Sequence, residues 1–147
     1  MRDAKSQFTT VNSILPIAAT NTAGGTGLGV DTDGYQSALM VLTMGVPLTT
    51  LSGAVYWVVQ FQHHDHNTAG HYTDIPDAEL EGGVNLIKVD ADGEASRSIS
   101  RGYKGGNRWL RILCTGTGTN TNGTPMHGVV ILGHPKHAAT PADGAQL

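Results

Sequence analysis

Short apolar runs, separated by breaks rich in Gly, Asn, Asp and Thr, set the pattern of this chain, and helical periodicity is almost absent. Tyr35 to Met44 is a near-continuous apolar run closed by Gly45 and Pro47, which predicts a strand buried on both faces. Ala54 to Gln62 alternates instead. Val55, Trp57, Val59 and Phe61 fall on one side, with Tyr56, Val58, Gln60 and Gln62 on the other, so the first set is the expected core face. Further strands are expected near Ile14 to Ala18, His71 to Ile75, Val84 to Val89, Ala95 to Tyr103, Arg108 to Thr115 and Met126 to Gly133. Asp90-Ala91-Asp92-Gly93 is the expected hairpin turn between two of them. Seven or eight short strands predict an all-β fold, a two-sheet β-sandwich of jelly-roll or immunoglobulin-like topology. Residues 14–135 form that domain. The polar residues 1–13 and the Pro-, Ala- and Gly-containing residues 136–147 are expected as extended N- and C-terminal arms. No internal repeat or linker divides the chain.

At 147 residues the chain fits one domain, and a fold of this length buries about 68–70% of the surface its unfolded chain exposes. Only 14% of residues are charged, and 20 are Gly, a balance that fits a β-rich assembly protein. The net charge is −3 and the nine Lys and Arg residues are scattered. With no basic stripe to neutralise phosphates, nucleic acid is not an expected partner. No apolar run approaches the ~18 residues of a membrane-spanning helix, and Met1 to Gln7 lacks the apolar core of a signal peptide, so a soluble chain is expected. The lone Cys114 sits in an apolar run and is expected as a buried, inert thiol.

The densest candidate chemistry is His63, His64, His66 and His71 with Asp65. Residues two apart on a strand share a face, so His64 and His66 could begin a metal site, with His71 as a third ligand. The spacing invites comparison with the cupins, whose H-x-H pair is followed three or four residues on by Glu. Here that place falls at Ala69 or Gly70, the nearest Glu is Glu79, and the cupin pattern is not met. A His-rich polar loop explains the segment equally well, leaving His64, His66 and His71 as weak metal candidates. A cupin-like enzyme using His64, His66 and a later His such as His127 is the alternative from a different class. The two Asp-x-Asp-Gly segments, Asp31 to Gly34 and Asp90 to Gly93, lack the further ligands of a calcium loop and are expected as turns. Gly24 to Gly29 and Gly116 to Gly118 precede no amphipathic helix, so they are expected as loops rather than phosphate cradles. No nucleophile motif is present; the expectation is a protein that is not an enzyme and takes no cofactor.

From Gly102 the chain reads Gly102-Tyr103-Lys104-Gly105-Gly106-Asn107-Arg108-Trp109-Leu110-Arg111-Ile112, then Gly123-Thr124-Pro125, then Val129-Val130-Ile131-Leu132-Gly133-His134-Pro135. This pattern resembles small proteins of the structural gene clusters of tailed bacteriophages. Asp74-Ile75-Pro76-Asp77-Ala78-Glu79-Leu80 is similar to the acidic segment of the same family. The resemblance spans roughly Gly34 to Pro135 and departs from the family at His63 to Gly70, where relatives carry a Ser-Asp-Asp-Gly turn. It implies a virion protein at the capsid exterior, a cement or decoration protein that binds the major capsid protein and bridges neighbouring capsomers. A place in the tail or at the head-to-tail junction is the alternative within the class. The role implies a homo-oligomer, with a trimer over a local threefold axis favoured. Phe8, Arg101, Arg108 and Arg111 are the expected interface residues, because aromatic and Arg side chains are enriched at such contacts. Trp57 and Trp109 lie in apolar runs and are expected in the core.

Overall fold

The computed structural model describes residues 7–20 and 25–136. The described residues form strands β1 (Phe8–Ala19), β2 (Val30–Asp31), β3 (Tyr35–Met44), β4 (Tyr56–His64), β5 (Thr73–Asp74), β6 (Leu80–Glu81), β7 (Ile87–Val89), β8 (Ser98–Tyr103), β9 (Trp109–Thr117) and β10 (Thr124–Pro135). Three single 3-10 turns cover Ala69–His71, Asp77–Glu79 and Asp92–Glu94. The first sheet has the order β1-β10-β3-β8-β6 and the second the order β2-β9-β4-β5, with β7 also on β4. Every pairing is antiparallel. If β5 and β7 are taken as one interrupted strand and the two-residue β6 is set aside, every connection crosses between the sheets except the one from β4 to that interrupted strand, which is the jelly-roll order.

Alternation builds the core between the sheets. Met40, Leu42 and Met44 of β3 and Met126, Val130 and Leu132 of β10 face Trp57, Val59 and Phe61 of β4 and Leu110, Ile112 and Cys114 of β9. Trp57 is fully buried, and its indole N–H donates to Thr124 Oγ1 at 2.9 Å, which removes the cost of an unpaired donor in the interior. Two side chains stand in for missing backbone. The Ser13 hydroxyl donates to Leu28 O at 3.0 Å and accepts from the Ile112 amide at 3.0 Å, tying β1 of one sheet to β9 of the other. Asn85, nearly buried, accepts from the Phe61 amide at 2.6 Å and donates to Phe61 O and Ile75 O at 3.0 and 2.8 Å. It fills the gap along β4 between β5 and β7 as a peptide group would.

Several expectations change. Tyr35 to Met44 is a strand, but not one buried on both faces: Leu39 is exposed and Val41 only half-buried, because the outer face of the first sheet has no layer over it among the described residues. The expected hairpin at Asp90 to Gly93 does not form. β7 belongs to the second sheet and β8 to the first, and the connection is drawn across the sandwich by the 3-10 turn, with Asp92 accepting from the Leu51 amide at 2.8 Å. Gly25 to Gly29 is a loop, as expected, and one tied to β9, with bonds from the Cys114 amide to Gly25 O and from the Gly27 amide to Ile112 O. β1 starts at Phe8, so residues 8–13, placed with the N-terminal arm, are the first half of an edge strand. Residues 1–6 and 137–147 of the two expected arms lie outside the described residues.

Candidate functional site

The outer face of the second sheet gathers the polar candidates. β4 and β9 pair His64 with Trp109, Gln62 with Arg111 and Gln60 with Leu113. Arg111 donates from Nε to Gln62 Oε1 at 2.8 Å and from Nη1 to Ala69 O at 3.1 Å, and its guanidinium lies 4.2 Å from the Tyr72 ring centroid. Gln62 and Gln60 in turn donate to the two carboxylate oxygens of Asp74 at 2.8 and 2.6 Å. Partial burial lowers the pKa of Arg111 and raises that of Tyr72. The His64 ring sits 5.9 Å from the His66 ring and 5.6 Å from the His71 ring, so the three candidates are neighbours. They do not converge: the His66 amide donates to His64 Nδ1 at 3.0 Å, and among the described residues no group of three His, Cys, Asp or Glu side chains is placed to hold a metal ion. His127, the further ligand of the cupin-like alternative, is on the other sheet, with Nε2 2.9 Å from Asn12 Oδ1. Trp109 is half-buried on this outer face rather than in the core, because its register partner His64 also points outward.

The expected interface arginines are already engaged. Arg108 forms a two-pronged pair with Asp31, Nε to Oδ1 at 2.8 Å and Nη2 to Oδ2 at 2.6 Å, and the guanidinium holds the Asp31 carboxyl below the usual carboxylate range. Arg101 shares the inward side of β8 with Ile99 and donates from Nε to Val84 O at 2.9 Å; burial lowers its pKa. It braces β8 against the segment that leads to β7. Phe8 is 50% exposed, packed by its edge against His134.

The residues that carry the phage resemblance interlock. His63 ends the inward face of β4 nearly buried, with Nδ1 2.9 Å from the Tyr103 hydroxyl and 3.6 Å from a Glu79 carboxylate oxygen. The Asn107 amide donates to the same hydroxyl at 2.9 Å. A side chain at Gly105 would collide with both Glu79 and Tyr103 and would have to push them out of their present arrangement. Burial, chiefly, raises the Tyr103 pKa, and nearby Glu79 and Asp65 add to the effect. Asp77 accepts from the Asn85 amide at 2.7 Å and so steadies the residue that bridges β5 and β7. Beside Tyr103, an open cleft of about 340 Å³ lies between Asp33, Tyr35, Asn107, Arg108 and Lys136. No family model matches the chain, and neither does any curated protein. The motifs therefore speak here through their structural work alone: they join the acidic segment, β4 and the β8–β9 connection at one end of the sandwich.

Sequence reasoning missed the surface opposite. Residues 6–30, 34–62 and 112–135 hold no Asp, Glu, Lys or Arg. The fold brings three strands from these runs, β1, β10 and β3, side by side in the first sheet. Phe8, Leu15 (57%), Ile17 (40%) and Leu39 are exposed on them, with Val46 and Leu48 exposed in the loop after β3. The charge-free runs were visible in the chain, but their adjacency needed the strand order.

Proposed function

We propose that this chain is a structural virion protein, a cement or decoration protein that binds the major capsid protein on the outside of a phage head and stabilises the shell. The observation that carries the reading is the split surface. One side of a stiff sandwich, built from β1, β10 and β3, offers uncharged strands and exposed apolar side chains, while the ionised residues among those described lie on the other strands and in the connections and chain ends. A contact made through such a side desolvates no charge, and weak contacts repeated on a lattice sum through effective concentration. The phage placement itself rests on the resemblance of Gly102 to Ile112, Gly123 to Pro125 and Val129 to Pro135. The bound or assembled form is a homo-oligomer, since a surface of this kind needs covering.

Quantitative mass spectrometry of purified particles tests the proposal. A copy number approaching that of the major capsid protein is the expected result, and heads lacking the protein should then burst at lower temperature or pressure. A handful of copies per particle would move the protein to the tail or the head-to-tail junction. Its absence from particles would end the virion reading.

A further inference from the structure

We propose that the outer edge of β1, over Phe8 to Asn12, is a self-association site at which the same strand of a second copy pairs antiparallel across a twofold axis. β1 is the edge of its sheet, and over these five residues it pairs in unbroken register with Gly133 to Val129 of β10. Among the described residues no backbone group bonds to its other side here. Proteins that stay monomeric blunt such an edge with charge, proline or a bulge. The second half of β1 has these devices: register shifts at Asn12/Ile14 and Ile14/Ile17, Pro16, and the Leu28 amide bonded to Ser13 O. Phe8-Thr9-Thr10-Val11-Asn12 has none of them, and it is rich in β-branched residues that favour strands.

Charge selects the partner. The other edge strands carry ionised residues: Asp31 on β2, Asp74 on β5, Glu81 on β6 and Lys88 on β7, and Arg101 lies on the part of β8 that the two-residue β6 leaves uncovered. A ring of three joined by strand pairing at β1 would set that strand against one of these edges, burying a charge beside an uncharged strand. Self-pairing avoids that cost, because an isologous contact sets like against like and this strand has nothing to repel. We place Thr10 opposite Thr10, with Thr9 opposite Val11 and Phe8 opposite Asn12. The two first sheets then become one continuous ten-stranded sheet, and the Phe8 rings extend the apolar surface over the seam. This goes beyond the capsid role and does not depend on it.

The test is sedimentation equilibrium of the full chain, with Thr10→Lys, Thr10→Glu and their equimolar mixture. The wild type is expected at twice the 15.4 kDa chain mass. Each single variant should weaken the dimer at least tenfold, since like charges would face each other at the centre of the pair, and the mixture should restore it as a heterodimer. Unchanged thermal unfolding of each variant at low concentration shows that the fold is intact, because Thr10 is exposed. A monomer at about 100 μM, a trimeric mass, or a dimer indifferent to both substitutions would each overturn the proposal. So would a wild-type monomer whose binding to emptied heads is lost in Thr10→Lys, which would assign the edge to a capsid-protein strand.

Discussion

At the scale of single residues, buried side chains that replace backbone matter more than the residues that look chemical. Asn85 satisfies one amide and two carbonyls, so its truncation strands three polar groups in a region that water enters poorly. Asn85→Ala should cost about 3 kcal/mol in urea unfolding, and Asn85→Asp nearly as much, because it keeps the acceptor and loses both donated bonds. The exposed Asn122→Ala is the control. Cys114 makes a second prediction. Burial pushes its thiol up to about 12, so in the native protein it should resist alkylation at about pH 8 and react only as fast as the molecule unfolds. The Asp31–Arg108 pair gives a pH dependence with a definite sign. The folded-state pKa of Asp31 is depressed, so the stability it adds is present above the ordinary carboxylate value and is lost as pH falls through the lowered one. The melting temperatures of wild type and Asp31→Asn should differ at about pH 6 and converge as the pH is lowered below the ordinary carboxylate value, with high salt shrinking the gap at the upper end.

Among the elements, the sequence was legible where a strand is long and alternates. β4, β9 and β10 appear near their expected places, and Trp57, Val59 and Phe61 are the core residues their spacing predicts. The short elements were legible in place but not in extent: β5 and β7 fall inside the expected His71 to Ile75 and Val84 to Val89, yet they are two and three residues long because the Asn85 side chain, which no periodicity records, takes the place of backbone along β4 between them. Turn chemistry misled at Asp90 to Gly93, because Asp and Gly announce a change of direction without saying whether the chain returns to the same sheet. The histidine cluster shows a related limit of spacing. Residue spacing puts His64 and His66 on one face only if the strand runs through both, but β4 ends at His64 and the His66 amide bonds to the His64 ring, so that shared strand face is not formed. Connections also supply a test of the fold itself. Gly118, after β9, has φ +78°, and a Cβ there would collide with Ala54 O and lie 3.0 Å from Val55 Cα. Gly118→Ala should therefore cost about 2 kcal/mol or more in chemical denaturation, whereas Gly53→Ala, in open space, should change little.

For the whole molecule, the decisive property is how charge is distributed rather than how much there is. A net charge of −3 is unremarkable for a chain of this length, yet β1, β10 and β3 hold no ionised residue, and the acids and bases that are described sit on the turns and the remaining strands. Salt distinguishes which side makes contacts. Between about 0.1 M and about 1 M salt the screening length falls from about 10 Å to about 3 Å, so any association through Arg101, Arg108, Arg111 or their acidic partners must weaken over that range. Association through the uncharged strands has no such attraction to lose. Only the long-range repulsion between two copies of charge −3 changes, and salt relieves it. Self-association, and binding to emptied heads if the capsid role holds, should therefore stay constant or tighten slightly as sodium chloride is raised, read by sedimentation equilibrium and by co-pelleting. A tenfold weakening would move the contact to the charged strands, where breaking the Asp31–Arg108 pair to free the arginine would then become the step that association requires.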